Sequence, residues 1–406
     1  KKLLTLTGAV GSGKTEMVNQ LMSTCRSIYL IPNGYGEKGI VASFWSQIVA
    51  SGIARAAKTP ETYADILQII KDESVMQGLL LVIDSFQDVM NQSRRFVSDF
   101  NSWWDALPPS QNLSLILVMA SPVIPGPAEL RSSNSIFNRA TERMVLGELT
   151  YVETLPLLSG LTPEEAISVY SVFGGSPHSL MHFNPRLNLE RNIEENMLSR
   201  SSYLYNFAKF TLLSGVKNRY KVFDILQHLG YGPNTLEGLS AETGMAKREI
   251  QSELRMLESR YAIIQKGSML TEKSAGTRAL FSISDNFTRF WFSFMKPNMG
   301  LLELGRLQEV RNAIRIDLER HTARTFTAIC FQHLHDYIIG RDRQLLYYTW
   351  KSGTSKIDIV ALDKKSLDAY FVDTHWTKAP LLKDSVDALS AKSREVFWMA
   401  GEEEGS

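Results

Sequence analysis

A glycine-rich segment near the start of the chain constrains the fold more than any other feature. An apolar stretch, Leu3–Thr7, leads into Gly8-Ala9-Val10-Gly11-Ser12-Gly13-Lys14-Thr15, and a helical stretch from Glu16 to Met22 follows. This is the spacing G-x-x-x-x-G-K-[ST], set between a strand and a helix as the motif requires. The segment predicts a doubly wound α/β fold, with the loop at the carboxyl edge of a parallel sheet.

The residue types of this loop suit a nucleotide phosphate. Glycines let successive backbone N–H groups turn inward around a phosphate, and the following helix N-terminus adds partial positive charge. Lys14 is expected to reach the β- and γ-phosphates, and the Thr15 hydroxyl to complete a Mg²⁺ shell. The expected cofactors are therefore ATP or ADP, and Mg²⁺. The predicted nucleotide-binding residues of the loop are Gly8, Gly11, Ser12, Gly13, Lys14, Thr15 and Glu16.

A second strand should bring a carboxylate to the same edge of the sheet. Leu79–Ile83 is continuously apolar, as strands buried on both faces are, and it ends at Asp84. Asp84 would hold Mg²⁺ through water, opposite Thr15. The next residue is Ser85, whose hydroxyl is a poor general base at neutral pH. Asp88 could substitute, but it would lie a helical turn away, so we predict firm nucleotide binding with slow or absent hydrolysis.

The order of the motifs resembles the archaeal-type ATPases of the STAND/AAA+ group. Their aspartate–glutamate–phenylalanine–glutamine segment corresponds to Asp84-Ser85-Phe86-Gln87, with the glutamate replaced. The resemblance implies a polar sensor at Ser121, and it makes Arg139, in Phe137-Asn138-Arg139, a candidate γ-phosphate sensor. It also implies that Pro177, in Gly174-Gly175-Ser176-Pro177, lies near the nucleotide base. In this family a P-loop domain precedes a winged helix and a C-terminal domain of the PD-(D/E)XK nuclease superfamily.

A locally basic region follows, although the whole chain has a net charge of only +1. Residues 201–300 hold 13 Lys and Arg against 8 Asp and Glu. Three helical patterns and two short strands there predict a winged helix-turn-helix. Its third helix could contact DNA phosphates or base edges, or the domain could instead pack as a lid on the nucleotide domain. The candidate DNA-binding residues are Lys247, Arg248, Gln251 and Arg255.

The last hundred residues resemble the nuclease-like domain of the same family. A working member uses carboxylates to hold Mg²⁺ and a lysine to orient or activate water. The resemblance assigns these positions to Asp358 and Asp373, but His375 stands where the lysine belongs and Thr327 where a helix glutamate belongs. We predict a lost or strongly weakened nuclease. The alternative is a metal-dependent nuclease that uses Asp358, Asp373 and His375.

Length and composition set the remaining limits. The 406 residues allow two to four domains. Two cysteines cannot build a disulfide framework, and no apolar run approaches the ~20 residues of a membrane helix, so a cytoplasmic protein with no membrane partner is expected. The predicted domains are a P-loop domain (1–150), a helical lid (151–215), a winged helix (216–297) and a degenerate restriction-endonuclease-like α/β domain (298–406).

These features together predict an ATP-binding, weakly hydrolysing switch protein. Nucleotide state would be coupled to the positions of the winged-helix and nuclease-like domains, in binding DNA or a partner protein. Two alternatives remain open at this point. One is an ATP-regulated, metal-dependent DNA nuclease, and the other is a winged-helix DNA-binding regulator.

Overall fold

The fold is given by a computed structural model, in which the chain forms two compact units. The first unit comprises Lys1–Glu148 with Ser259–Tyr261, and the second comprises Leu149–Glu258 with Ala262–Ser406. The residues that the structure describes are 1–53, 59–120, 136–207, 216, 218–259, 261–271, 274–336, 345–363 and 365–396. No helix within these ranges is long and apolar enough to cross a membrane.

The first unit is a five-stranded parallel sheet with helices. The strand order is β2-β3-β4-β1-β5, and each neighbouring pair runs parallel. The strands are β1 (Lys2–Gly8), β2 (Ser27–Leu30), β3 (Leu79–Ile83), β4 (Leu113–Ala120) and β5 (Glu142–Leu146). The helices are α1 (Lys14–Met22), α2 (Gly36–Ala50), α3 (Tyr63–Met76), α4 (Phe86–Gln92) and α5 (Arg94–Ala106), with a 3₁₀ turn at Ile136–Arg139.

The apolar strands of this unit bury both faces of the sheet. All five residues of β3 are buried. Leu79, Leu81 and Ile83 pack into one core, while Leu80 and Val82 pack into a second core that includes Val18 of α1. Side chains alternate between the faces of a strand, so an uninterrupted apolar run is what a sheet covered on both faces needs. The predicted α/β fold with a parallel sheet is confirmed.

The second unit contains mostly short helices and one sheet. Its helices are α6 (Tyr151–Thr154), α7 (Pro163–Phe173), α8 (Pro177–Leu180), α9 (Leu189–Ile193), α10 (Tyr203–Phe207), α11 (Arg219–Tyr231), α12 (Leu236–Thr243), α13 (Lys247–Ser259), α14 (Asn286–Phe290), α15 (Met299–Glu303), α16 (Leu307–His333) and α17 (Lys383–Ser393). A 3₁₀ turn lies at Leu155–Leu158, and π-helical turns lie at Glu194–Leu198 and Trp291–Met295. The strands are β6 (Ile264–Thr271), β7 (Ser274–Ile283), β8 (Leu345–Ser352), β9 (Ser355–Asp363) and β10 (Ala369–Val372).

One sheet joins the two parts of this unit that the sequence assigns to separate domains. Its order is β10-β9-β8-β6-β7. Strands β6 and β7 form an antiparallel hairpin, and β6 also pairs with β8 in parallel, with Met269 opposite Thr349. The helices α11, α12 and α13 and the hairpin follow the order predicted for a winged helix, but that assignment and the domain boundaries stay predictions.

Candidate nucleotide site

The glycine-rich loop lies between β1 and α1, at the carboxyl edge of the first sheet. Gly11 and Gly13 have φ values of 83° and 90°, in the left-handed region where a side chain is costly. A Cβ on Gly8 would lie 2.4 Å from the Leu146 carbonyl oxygen and 2.9 Å from Ser12 Oγ. The loop therefore requires glycine at these three positions for its backbone shape and close packing.

Lys14 is buried inside the loop, with a side chain that turns back over it. Its ammonium donates hydrogen bonds to the carbonyl oxygens of Gly8 (2.9 Å) and Ala9 (2.6 Å), and it lies 3.4 Å from Ser12 Oγ. Burial lowers the pKa of Lys14 from its ordinary value, while Asp84 acts in the opposite direction. A lysine at a helix N-terminus, beside inward-facing backbone N–H groups, is an arrangement that binds phosphate.

Asp84 follows β3 and lies next to the loop, as the sequence predicts. Thr15 Oγ1 donates to Asp84 Oδ2 at 3.2 Å, and the Ser85 N–H donates to Asp84 Oδ1 at 2.6 Å. The Asp84 N–H donates to the Leu30 carbonyl at 2.8 Å, which continues the β2–β3 ladder past its last paired residues. The carboxylate is only 8% exposed.

Tyr29, which no motif predicts, also contacts Asp84. Its hydroxyl donates to Asp84 Oδ2 at 2.5 Å. The pKa of Tyr29 is raised strongly by burial and by the Asp84 carboxylate, so the phenol stays a donor. Nothing in the sequence motif marks Tyr29; only the adjacency of β2 and β3, which no local pattern specifies, brings it to Asp84.

The residues present fit a magnesium ion. A threonine hydroxyl and a carboxylate oxygen lie 3.2 Å apart beside the loop, and hard oxygen ligands are those that Mg²⁺ prefers. Among the described residues, no group of three or more His, Cys, Asp or Glu side chains could hold a metal ion. Mg²⁺ commonly keeps several waters and binds one or two protein groups together with substrate phosphates, so Thr15 and Asp84 would be sufficient.

Ser85 stands directly after Asp84, in an unusual backbone conformation. Its φ of 52° places it in the left-handed region, and it occupies the N-cap position of α4 without a capping hydrogen bond from its side chain. The Asp88 N–H donates to the Ser85 carbonyl at 2.8 Å, so Asp88 lies one turn into α4, where its side chain is exposed. Of the two residues, only Ser85 is adjacent to Asp84.

The sequence also predicts Glu16 and Ser121 at this site. Glu16 is exposed on α1, and its carboxylate accepts a hydrogen bond from Gln20 at 3.1 Å. Ser121, the expected sensor after β4, lies outside the described residues.

Arg139 does not lie at the loop. Its guanidinium donates to both carboxylate oxygens of Asp105, at 2.8 and 2.6 Å. Thr141, two residues later, exchanges hydrogen bonds with the backbone of Leu3, whereas the loop begins at Gly8, the other end of β1. At ~3.3 Å per residue these two ends of the strand are about 16 Å apart. The structure thus places Arg139 at the opposite end of β1 from the loop, and its role as a γ-phosphate sensor stays a prediction.

Pro177 begins the short helix α8 in the second unit. The two glycines before it are required by the local backbone conformation and packing. Gly174 has a φ of 71°, and a Cβ on Gly175 would lie 2.0 Å from the Leu149 carbonyl oxygen. The contact of Pro177 with a nucleotide base remains a prediction.

The four candidate DNA-binding residues all lie on α13, with exposed side chains. Lys247 is 3.5 Å from Glu237, and Glu249 of the same helix pairs with Lys221 at 2.7 Å. Arg248 and Gln251 share this exposed surface, as does Arg255. Glu237 thus offsets the charge of Lys247, while Lys221 offsets that of Glu249, and DNA binding remains a prediction.

The structure places the two nuclease-like aspartates next to each other. The Asp358 N–H donates to Asp373 Oδ1 at 3.4 Å. Each carboxylate also holds a lysine: Lys356 lies 2.6 Å from Asp358, and Lys392 of α17 lies 2.7 Å from Asp373. Burial alone would raise the pKa of Asp358, but Lys356 and the hydrogen bonds from Thr374 lower it below its ordinary value. Sequence reasoning missed Lys392, because it is remote along the chain.

Thr327 and His375, the other two positions expected at this site, differ in whether they contact it. Thr327 Oγ1 lies 2.6 Å from Thr374 Oγ1, and Thr374 in turn donates to Asp358 at 2.9 Å. The helix position expected to carry a glutamate therefore does reach the carboxylates, through a hydroxyl chain. His375, by contrast, is exposed.

Two family descriptions match parts of the chain. Residues 1–123 match a family described as an AAA domain, and residues 291–392 match one described as archaea bacterial proteins of unknown function. An uncharacterized protein of Methanocaldococcus jannaschii is 20% identical over 306 residues, which covers 74% of this chain and 68% of that protein.

Solved structures show a similar fold. The Walker-type ATPase PABY2304 of Pyrococcus abyssi superposes with a TM-score of 0.53 at 13% identity, covering 71% of this chain and 90% of that one. The Aeropyrum pernix ORC2 protein, solved as ADPNP–ADP complexes, superposes with a TM-score of 0.46 at 13% identity, covering 75% of this chain and 89% of that one. A TM-score of 0.46 is too low to support a conclusion about this chain.

The first unit has a parallel α/β fold like that of the Walker-type ATPase, and most of it matches the AAA-domain family. The AAA-domain match ends at residue 123 and so contains the loop, Asp84 and β1 to β4.

Proposed function

We propose that this protein is an ATP-binding, slowly hydrolysing switch. Magnesium and ATP bind at the loop of the first unit, and the nucleotide state governs the positions of the winged-helix and nuclease-like regions. Those regions act on DNA or on a partner protein. The loop suits a β,γ-phosphate chain, with Lys14 as its cation, and the AAA-domain match of residues 1–123 favours ATP among the triphosphates.

One observation carries the nucleotide part of this proposal. Lys14, Thr15 and Asp84 lie together at the carboxyl edge of the parallel sheet, with Lys14 inside a loop of the required backbone shape. Ligands of open α/β sheets bind at this edge, where loops and helix N-termini converge. The missing general base at Ser85 supports binding with slow turnover, as expected of a switch.

Substitution of Lys14 tests nucleotide binding. Lys14→Ala should weaken the binding of Mg·ATP by about ten-fold to a hundred-fold, because a hydrogen bond to a charged group contributes ~1.5–3 kcal/mol. Isothermal titration calorimetry would measure the Kd of each protein. Lys38→Ala, which removes an exposed lysine of α2 in the same unit, is the matched control. Equal affinity in the Lys14→Ala and Lys38→Ala proteins would overturn the proposal.

A second candidate function is a nucleotide-regulated, metal-dependent DNA nuclease. The proximity of Asp358 and Asp373, with Lys392 on Asp373, supports it. The lysines argue against this function, because each would have to leave its carboxylate before a metal ion could bind there. Plasmid nicking with Mg²⁺ or Mn²⁺ tests this function. If the protein nicks the plasmid and an Asp358→Ala variant does not, the nuclease is favoured over a switch protein that does not cleave DNA.

A further inference from the structure

Tyr29 is fixed so that its hydroxyl reaches the metal-facing carboxylate. It is the penultimate residue of β2 and lies opposite Val82 of β3. Its ring packs against the apolar core that contains Val18 of α1 and Val82. The strand pairing and this packing hold the ring, and the hydroxyl extends beyond the core to Asp84 Oδ2 at 2.5 Å.

The oxygen that Tyr29 contacts has no spare acceptor capacity. Asp84 Oδ2 accepts from Tyr29 and also from Thr15 Oγ1 at 3.2 Å, while Asp84 Oδ1 accepts from the Ser85 N–H at 2.6 Å. A carboxylate oxygen offers about two lone-pair sites. Both sites of Oδ2 are therefore occupied by side chains of this protein.

The two donors differ in their compatibility with a metal ion. Thr15 can donate its proton to Asp84 and still present an oxygen lone pair to Mg²⁺. The Tyr29 hydroxyl instead occupies the second lone-pair site of Oδ2, the carboxylate oxygen that contacts Thr15, where a water of a magnesium ion bound at Thr15 would donate. Thr15 is thus part of the metal site, whereas Tyr29 blocks access to it.

We propose that Tyr29 competes with Mg²⁺ and its water shell for Asp84 Oδ2, so that magnesium tightens nucleotide binding only after the tyrosine hydrogen bond is broken. This inference rests on the proposed nucleotide-binding function. Nucleotide phosphates can enter the loop without disturbing Tyr29, because Lys14 and the loop backbone bind them. The tyrosine therefore separates nucleotide binding from magnesium binding.

A Tyr29→Phe variant tests this inference, since it keeps the ring and removes only the hydroxyl. The Kd of an ATP analogue with an N-methylanthraniloyl fluorophore would be measured in EDTA and in saturating Mg²⁺. The ratio of the Kd in EDTA to the Kd in Mg²⁺ should be about ten-fold larger in Tyr29→Phe than in the unaltered protein, since a hydrogen bond to a charged group is lost. Tyr35→Phe is the matched control, because the Tyr35 side chain is 96% exposed.

The two arms of the titration separate the outcomes. Unchanged affinity in EDTA, together with the larger ratio, supports competition by Tyr29 in a folded site. An equal or smaller ratio in Tyr29→Phe would overturn the inference, and a smaller ratio would mean that Tyr29 orients Asp84 for the metal. Failure of the unaltered protein to bind the analogue in either buffer would overturn the proposed function and this inference with it.

Discussion

The chemistry of the site depends on individual atoms of a few residues around Asp84. Its two carboxylate oxygens accept from Thr15, Tyr29 and Ser85, so a single buried side chain links the phosphate loop, β2 and α4. Sequence spacing alone predicts Lys14, Thr15 and Asp84 at the site. It misses Tyr29, because that contact follows from no local pattern and depends on β2 lying beside β3.

Replacement of Ser85 by glutamate should raise ATP turnover. The residue adopts a left-handed φ of 52°, and glutamate, like serine, is not β-branched, so the substitution adds little backbone strain. General base catalysis typically contributes 10²–10⁴-fold, and a gain of at least about ten-fold is expected. Release of phosphate measures the turnover number. Ser85→Gln has the same length without the base, and equal turnover of the two variants would contradict the prediction.

In the second unit, the contact between helices α16 and α7 includes a buried histidine. Helix α16 carries His321, which is buried, and its Nε2 donates to the Ser171 carbonyl of α7 at 2.8 Å. The imidazole also packs against the rings of Phe290 and Phe294. Burial and the charge of Arg289 hold the pKa of His321 well below its ordinary value, so the contact between α16 and α7 depends on a neutral histidine.

His321 should make stability depend on pH. The folded protein keeps the ring neutral, whereas the unfolded chain binds a proton below its ordinary pKa of ~6.5. The contribution is therefore present above ~6.5 and is lost as the pH falls toward the lowered pKa of the folded state. Urea unfolding at pH 7.5 and 5.5 should show the unaltered protein losing about 1 kcal/mol more than His321→Gln, which retains a donor for Ser171. Parallel losses in the two proteins would contradict this role.

At the scale of the whole molecule, the chain has two units, each with its own sheet. The first has a parallel sheet covered on both faces, and the second has a mixed sheet in which the hairpin β6–β7 continues into β8, β9 and β10. The sequence predicts separate winged-helix and nuclease-like domains. The shared sheet connects them by backbone hydrogen bonds between residues about 80 positions apart, a pairing that no local pattern reveals.

Nucleotide should stabilise only the unit that contains the loop. Differential scanning calorimetry is expected to show two transitions, because each unit has its own core. A nucleotide concentration of about 100 times Kd stabilises the binding unit by ~2.7 kcal/mol. Mg·ATP should therefore shift one transition upward, and Lys14→Ala should abolish that shift. A single transition that moves as a whole would show that the two units unfold together.

The sequence by itself determined the phosphate loop, the strand that delivers Asp84, and the parallel α/β class of the first unit. These are local properties, since a glycine-dependent turn and an uninterrupted apolar strand are specified by adjacent residues. The tertiary structure alone decided that Tyr29 occupies Asp84, that Arg139 lies at the opposite edge paired with Asp105, and that Lys392 reaches Asp373. Those contacts join residues between 19 and 55 positions apart. They depend on strand order and helix packing, which the global burial of apolar surface determines.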